Sequence, residues 1–223
     1  MKKILFTLTI CVSLASVSVA QDPNYRNQWP TINNAYTTMT ASLDMGIMKD
    51  RLPDFDQFGV GFMAYSDKAG DGALNSTYLG ISLAYHKALD ENGYHQLGAG
   101  FQGTYMNKRL NTSKLTFEDQ LTPFGFTQVT QESFSSNQVN LNYFDLNAGL
   151  MYNGSTNGYN NIYFGASMYH LNRPKESFQK GDFVLNARTT LQAGARIPVG
   201  TYNSFHVAAN HSMQAKAQNT MLG

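Results

Sequence analysis

The chain has 223 residues, 16 basic against 15 acidic, for a formal net charge of +1, so bulk charge offers nothing to a nucleic acid. Charged residues are only 14% and aromatics 13%, a balance poor for a solvated surface and rich in rings that seek interfaces. A mean hydropathy of −0.33 with no long apolar run excludes spanning helices. It leaves open a transmembrane barrel, whose lipid-facing and lumen-facing residues cancel in an average, and a secreted sandwich.

Residues 1–20 read as a secretory signal peptide. Met1-Lys2-Lys3 is the positive start, Ile4 to Leu14 the apolar run, and Val17-Ser18-Val19-Ala20 the small-residue cleavage site. Cys11, the only cysteine, lies inside this leader and too early to carry a lipid. Residues 21–223, expected to form one domain, therefore have no thiol for a disulfide, a metal or a nucleophile.

The spacing then predicts strands. Asn24 to Trp29 is a short one stopped by Pro30. Tyr36 to Met45 sets Thr37, Met39, Ala41, Leu43 and Met45 against Tyr36, Thr38, Thr40, Ser42 and Asp44. After a turn with Pro53, Gln57 to Tyr65 sets Phe58, Val60, Phe62 and Ala64 against Gly59, Gly61 and Met63. Ser66 to Gly72 is a loop dense in turn formers. The clearest stretch follows. Leu79, Ile81, Leu83 and Tyr85 face one way and Tyr78, Gly80, Ser82, Ala84 and His86 the other, and after Asn92-Gly93 the pattern returns as Leu97, Ala99, Phe101 and Tyr105. Such period-two patterning makes a sheet with one apolar face, and each arm matches the ~9–11 tilted residues that cross a bilayer.

From Asn107 to Asn142 the alternation stops, giving one long loop of the kind that is usually functional. Tyr143 to Tyr152 resumes with Phe144, Leu146, Ala148 and Leu150 opposite Asp145, Asn147 and Gly149. Asn161 to Leu171 is a strand whose facing is not assignable. A polar loop at Asn172 to Ser177 leads to a strand over Phe183 to Arg196, with Arg188, Gln192 and Arg196 on the polar side. Pro198-Val199-Gly200 is a tight turn, and Tyr202 to Met213 is the last strand.

With the mature N-terminus in the periplasm, the connections near Asp50, Asp90, Asn157 and Pro198 fall inside. Those at Trp29-Pro30, Asp67–Gly72, Asn107–Asn142 and Asn172–Pro174 fall outside, where outer-membrane barrels carry their longer loops. The strands number roughly nine, whereas single-chain bacterial barrels have even counts, so an incomplete barrel is expected.

No residue pattern points to catalysis or a cofactor. His86, His95, His170, His206 and His211 show no compact ligand spacing. Asp67 to Gly72 lacks the third carboxylate and distal Glu of a calcium loop and reads as a turn. Glu118-Asp119 has no histidine or nucleophile at a motif spacing, and no G-x-S-x-G elbow occurs. Trp29 is either a recognition residue or an aromatic anchor at the membrane interface. Asp44, Asp145, Arg188 and Arg196 are assigned to the lumen, either as ion pairs that fill it or as the lining of a conduit.

The motifs Asn24-Tyr25-Arg26-Asn27-Gln28-Trp29-Pro30, Asp67-x-x-Gly70-Asp71-Gly72, Lys114-Leu115-Thr116-Phe117-x-Asp119-Gln120, Tyr143-Phe144-Asp145-Leu146 and His170-Leu171-Asn172-Arg173-Pro174 resemble the PorP/SprF family, in the family's order from Asn24 to about Met213. The resemblance implies an outer-membrane β-barrel of the type IX secretion system, the machine coupled to gliding and to export of adhesins and enzymes. Against that family a segment after Pro23 and a continuation past Gly223 are missing, which again implies a barrel short at both ends. The implied role is non-enzymatic. The loop residues Trp29, Pro30, Asp67, Gly70, Asp71, Gly72, Lys114, Leu115, Thr116, Phe117, Asp119, Gln120, Asn172, Arg173 and Pro174 would form an outer rim that meets secreted substrates or other secretion subunits. A small-solute channel and a soluble secreted sandwich are the competing classes, the first testable by conductance and the second by solubility without detergent.

Overall fold

The computed structural model describes residues 19–29, 31, 36–69, 73–127, 129–132, 137–178, 182–200 and 203–223, with backbone only over 19–23. In chain order the strands are β1 (Val19–Gln28), β2 (Tyr36–Ile47), β3 (Gln57–Ala69), β4 (Leu74–Ala88), β5 (His95–Asn111), β6 (Leu121–Thr122), β7 (Gly125–Phe126), β8 (Gln138–Gly154), β9 (Asn161–Tyr169), β10 (Arg188–Val199), β11 (Asn203–Gln214) and β12 (Ala217–Leu222). All but β6 and β7 form one 10-stranded antiparallel meander, each strand beside its sequence neighbours, with β1 and β12 as its edges. The isolated β6–β7 hairpin lies between β5 and β8. Among the described residues no helix is long and apolar enough to cross a membrane; the crossing is made by strands.

Alternation sorts the central strands β4, β5, β8 and β9 into two faces, and the polar face is the covered one. Ser76, Thr104, Asp145 and Asn147 are buried, while Leu79, Ile81, Phe101, Phe144, Leu150, Phe164 and Phe205 are exposed. Apart from Pro174, Ala73 and Met106 are the only buried apolar side chains among the described residues. A sheet whose greasy face has no protein partner is solvated by lipid, so the sandwich is excluded and the fold is an open-sided transmembrane barrel.

The band has a readable upper limit. Tyr105 pairs with Phe144, and one pair further on Asn107 faces Asn142 and Arg109 faces Asn140. The outward face thus changes from aromatic to polar across both strands at one height. From Leu97 to Tyr105, at ~3.4 Å per residue and a tilt near 40°, the band is about 21 Å tall, close to the ~25 Å typical of such barrels. Gly103 sits within it under the Phe144 ring, where a Cβ would lie 2.8 Å from Cζ. The ring covers the gap that the missing side chain leaves, which fixes how the two strands pack.

Several boundaries differ from the sequence reading. The meander has ten strands, not nine, because Ala215 takes a left-handed φ of 52° and turns the chain back into β12. Ser66 to Ala69 continue β3 instead of forming a loop, paired on to Leu74 of β4. The alternation does not end at Met106, since Asn107 to Asn111 pair with Gln138 to Asn142, and the long connection shrinks to 112–137. β9 ends at Tyr169, where His170 adopts φ 58°. Residues Phe183 to Ala187 precede the sheet strand, because Val184 bridges Lys175 within the β9–β10 connection. The start of the last strand at Tyr202 lies outside the described residues. β9 turns Ile162, Phe164, Ala166 and Met168 outward, with Tyr163, Gly165, Ser167 and Tyr169 on the inner face.

Candidate functional site

The end of the sheet that carries the β1–β2, β3–β4, β5–β8, β9–β10 and β11–β12 connections is its upper end. There the rim is uneven. β5 and β8, 17 residues each, rise past the apolar band and stay paired to Asn111 and Gln138. β4 supports them to Leu110. On the opposite flank β9 pairs with β8 only from Gly154↔Ile162 to Ala148↔Met168. A tall wall therefore stands beside a notch.

The β9–β10 connection occupies the lower part of that notch. His170 Nδ1 lies 2.9 Å from Asp145 Oδ1, and the His170 N–H donates to Asn147 Oδ1 at 3.1 Å. Leu171 donates its N–H to the Leu146 carbonyl at 2.9 Å. The Asn172 carboxamide then accepts the Leu146 N–H at 3.1 Å and donates to the Phe144 carbonyl at 2.6 Å. An amide side chain thus continues the ladder after the strand has left it. Arg173, at φ 44°, closes the turn by donating its N–H to the His170 carbonyl. Pro174 is buried, and its carbonyl accepts the Leu185 N–H at 2.9 Å. Beyond it the Glu176 carboxylate pairs with Lys108 Nζ and accepts the Tyr143 hydroxyl at 3.3 Å. Both members of this ion pair are four-fifths buried, so the contact clasps the connection to the inner face of the wall more firmly than a surface pair would.

The β5–β8 connection is built around its own polar groups. The Thr112 N–H donates to the Asn137 carbonyl and closes its base, and Asn111 Oδ1 accepts the Ser113 N–H at 3.1 Å. Gln120 is buried; its Oε1 accepts the Phe117 N–H at 2.8 Å and its carbonyl the Thr127 N–H at 2.9 Å. Asp119 accepts from the Thr130 hydroxyl at 2.8 Å and from the Gln131 N–H at 2.6 Å. The Gln131 N–H and then the Thr130 hydroxyl hold the Asp119 carboxyl below the usual carboxylate range. Leu115 donates its N–H to Thr112, while the Lys114 and Thr116 side chains are exposed. Leu121, Phe124, Phe126 and Val129 are left projecting from this connection.

The remaining residues singled out from sequence are spread around the rim. Trp29 is exposed just past β1, at φ 54°. Asp67 belongs to β3 and accepts the Tyr36 and Thr38 hydroxyls at 2.6 and 2.8 Å, so it fastens β3 to β2. Pro30, Gly70, Asp71 and Gly72 lie outside the described residues. Of the lumen candidates, Asp44 lies against Gly61, Asp145 pairs with His170, and Arg188 stands 4.2 Å over the Tyr169 ring. The Arg188 Nε is buried without a partner, and Arg196 is exposed. No ion pair joins the four among the described residues.

Sequence reasoning gave Lys108 and Glu176 no role, set Asn147 on the polar face of its strand without a partner, and named His170 and Tyr143 without theirs. Only the His170-Leu171-Asn172-Arg173-Pro174 and Tyr143-Phe144-Asp145-Leu146 motifs signalled them, because their partners are distant in the chain. Among the described residues no three His, Cys, Asp or Glu side chains come together to hold a metal.

A family model described as "Type IX secretion system membrane protein PorP/SprF" matches residues 15–223. Comparison with curated proteins and with solved structures gives no match.

Proposed function

The chain belongs to the PorP/SprF family of type IX secretion system membrane proteins, and from that premise we propose that it is a non-enzymatic component of the outer membrane whose extracellular rim recognises exported proteins, adhesins among them, or the secretion subunits that deliver them. The observation that carries this reading is the asymmetry of the two ends. Short turns close one end, and the other carries the two long connections, each internally hydrogen-bonded. Ordered loops that leave apolar side chains such as Phe124 and Val129 in solvent suit protein contact better than solute passage. The β-strand belt holds the protein in lipid, and the signal peptide at residues 1–20 delivers it.

The experiment is deletion of the chain's gene from its host, followed by mass spectrometry of the surface and medium proteins. Loss of a defined set of exported proteins, with gliding measured alongside, supports the reading. An unchanged set overturns it. Fractionation and heat-modifiability on gels test the location independently.

A further inference from the structure

Above Phe144, β8 has a partner on one side only among the described residues. Val139 to Tyr143 pair with β5, while β9 stops at the level of Ala148. The hydrogen-bonding direction alternates along a strand. Leu146 and Phe144 turn their backbone groups to the β9 side, toward Leu171 and Asn172. Asn142 and Asn140 therefore aim their N–H and C=O groups the same way, and no described residue meets them. Their side chains are exposed, and they stand above the apolar band, clear of lipid. Unpaired strand edges in water are templates for another strand.

We propose that the upper edge of β8, at Asn140 and Asn142, is a docking site for an extended segment of an exported polypeptide, which adds as a strand in the notch above Asn172. This rests on the recognition reading above. Three observations select an extended chain as occupant. Asn172 already fills the next ladder positions with an amide, the chemical group that a strand would supply. The Glu176–Lys108 clasp draws the β9–β10 connection onto the inner face, away from this edge. The edge offers main-chain groups, which recognise conformation more than sequence and so suit a component that handles different exported chains.

The test separates this idea from the reading beneath it. Gene deletion first defines the clients; if none is lost, the recognition reading fails before the edge is examined. With clients in hand, Asn140→Pro/Asn142→Pro is compared with Asn140→Ser/Asn142→Ser. Proline removes donors that face the open edge and leaves the β5 ladder whole. The proline variant should stay heat-modifiable yet display its clients at least tenfold less, while the serine variant displays them normally. Normal display with proline, or equal loss with serine, overturns the proposal.

Hydrogen exchange on the unmodified protein gives a second reading that needs no variant. Adding a purified client should slow the Asn140 and Asn142 amides and leave Val139 and Leu141, already bonded to β5, unchanged. No slowing overturns the proposal. So do amides already slow in the dilute protein alone, which would mean that the chain covers its own edge. Slowing with protein concentration alone would assign the edge to a second copy and overturn it equally.

Discussion

Asn172 donates from Nδ2 to the Phe144 carbonyl at 2.6 Å, so a loop side chain occupies a position where a strand backbone would stand. The same carboxamide accepts the Leu146 N–H. One residue thus satisfies two groups of β8 at the height where the apolar band gives way to water.

Replacing it tests this. Asn172→Ala should cost about 0.5–1.5 kcal/mol, the range for losing an ordinary hydrogen bond, since both bonds lie at an exposed position. The cost would appear as a lower urea midpoint of the protein folded in lipid vesicles. Asn172→Asp keeps the acceptor for Leu146 but sets a carboxylate oxygen against the Phe144 carbonyl, so at neutral pH it should be no better than alanine. An unchanged midpoint in both variants would mean that the carboxamide does not hold the segment.

Asp119 should govern the order of the β5–β8 connection without touching the barrel. Asp119→Ala removes the acceptor shared by Thr130 and Gln131. Proteinase K should then cut within 112–137 severalfold faster, while heat-modifiability stays as it was. Equal cutting rates would show that the Gln120 bonds suffice.

What the sequence showed and hid follows from how strands announce themselves. Leu79, Ile81 and Leu83 alternate with small and polar residues, so their outward facing was legible. β9 was not, because Tyr163 and Tyr169 on its inner face make both sides look apolar. Asn107 to Asn111 and Gln138 to Asn142 are held by the ladder above the lipid, where neither face needs to be greasy; with no hydrophobic period they read as loop. β12, with Gln218, Asn219 and Thr220, was lost for the same reason. Phe183 to Ala187 carried the opposite false signal, apolar spacing used to bridge Lys175 in a connection. The rim motifs were legible as positions, but Asp67, Asp119, Gln120 and Asn172 use their polar atoms on the chain itself. That long-range pairing is invisible before the register is known.

At the lower end, Asp56 lies in the β2–β3 connection and accepts the Tyr85 hydroxyl and, at 2.8 Å, the Ala88 N–H. Chiefly the Tyr85 hydroxyl, then the Ala88 N–H, hold its carboxyl below the ordinary range. A depressed folded value means that the folded state binds its proton less readily than the unfolded one. The stability is therefore present above the unfolded carboxylate's pKa, about 3.9, and is lost as pH falls through the lower folded value. Asp56→Asn should lower the urea midpoint at pH 7, and the gap from the native protein should close below about pH 4. A gap that persists in acid would assign the loss to shape instead of charge.

The last prediction concerns the belt itself. Ile81 and Thr77 lie on the same outward face of β4, Ile81 exposed within the apolar band and Thr77 opposite Asn107 above it. If lipid surrounds the first and water the second, one substitution should have two different costs. Ile81→Arg, between the middle and the upper limit of the band, should destabilise by about 1–3 kcal/mol, less than the ~2–4 of a guanidinium at the midplane, and Thr77→Arg by about 0–1. Urea titration in vesicles of fixed chain length reads the difference directly. Thinner bilayers should narrow it, since the arginine at 81 then reaches the headgroups more easily. Equal costs at the two positions would remove the lipid from the Leu79/Ile81/Leu83 face and leave that face needing another partner.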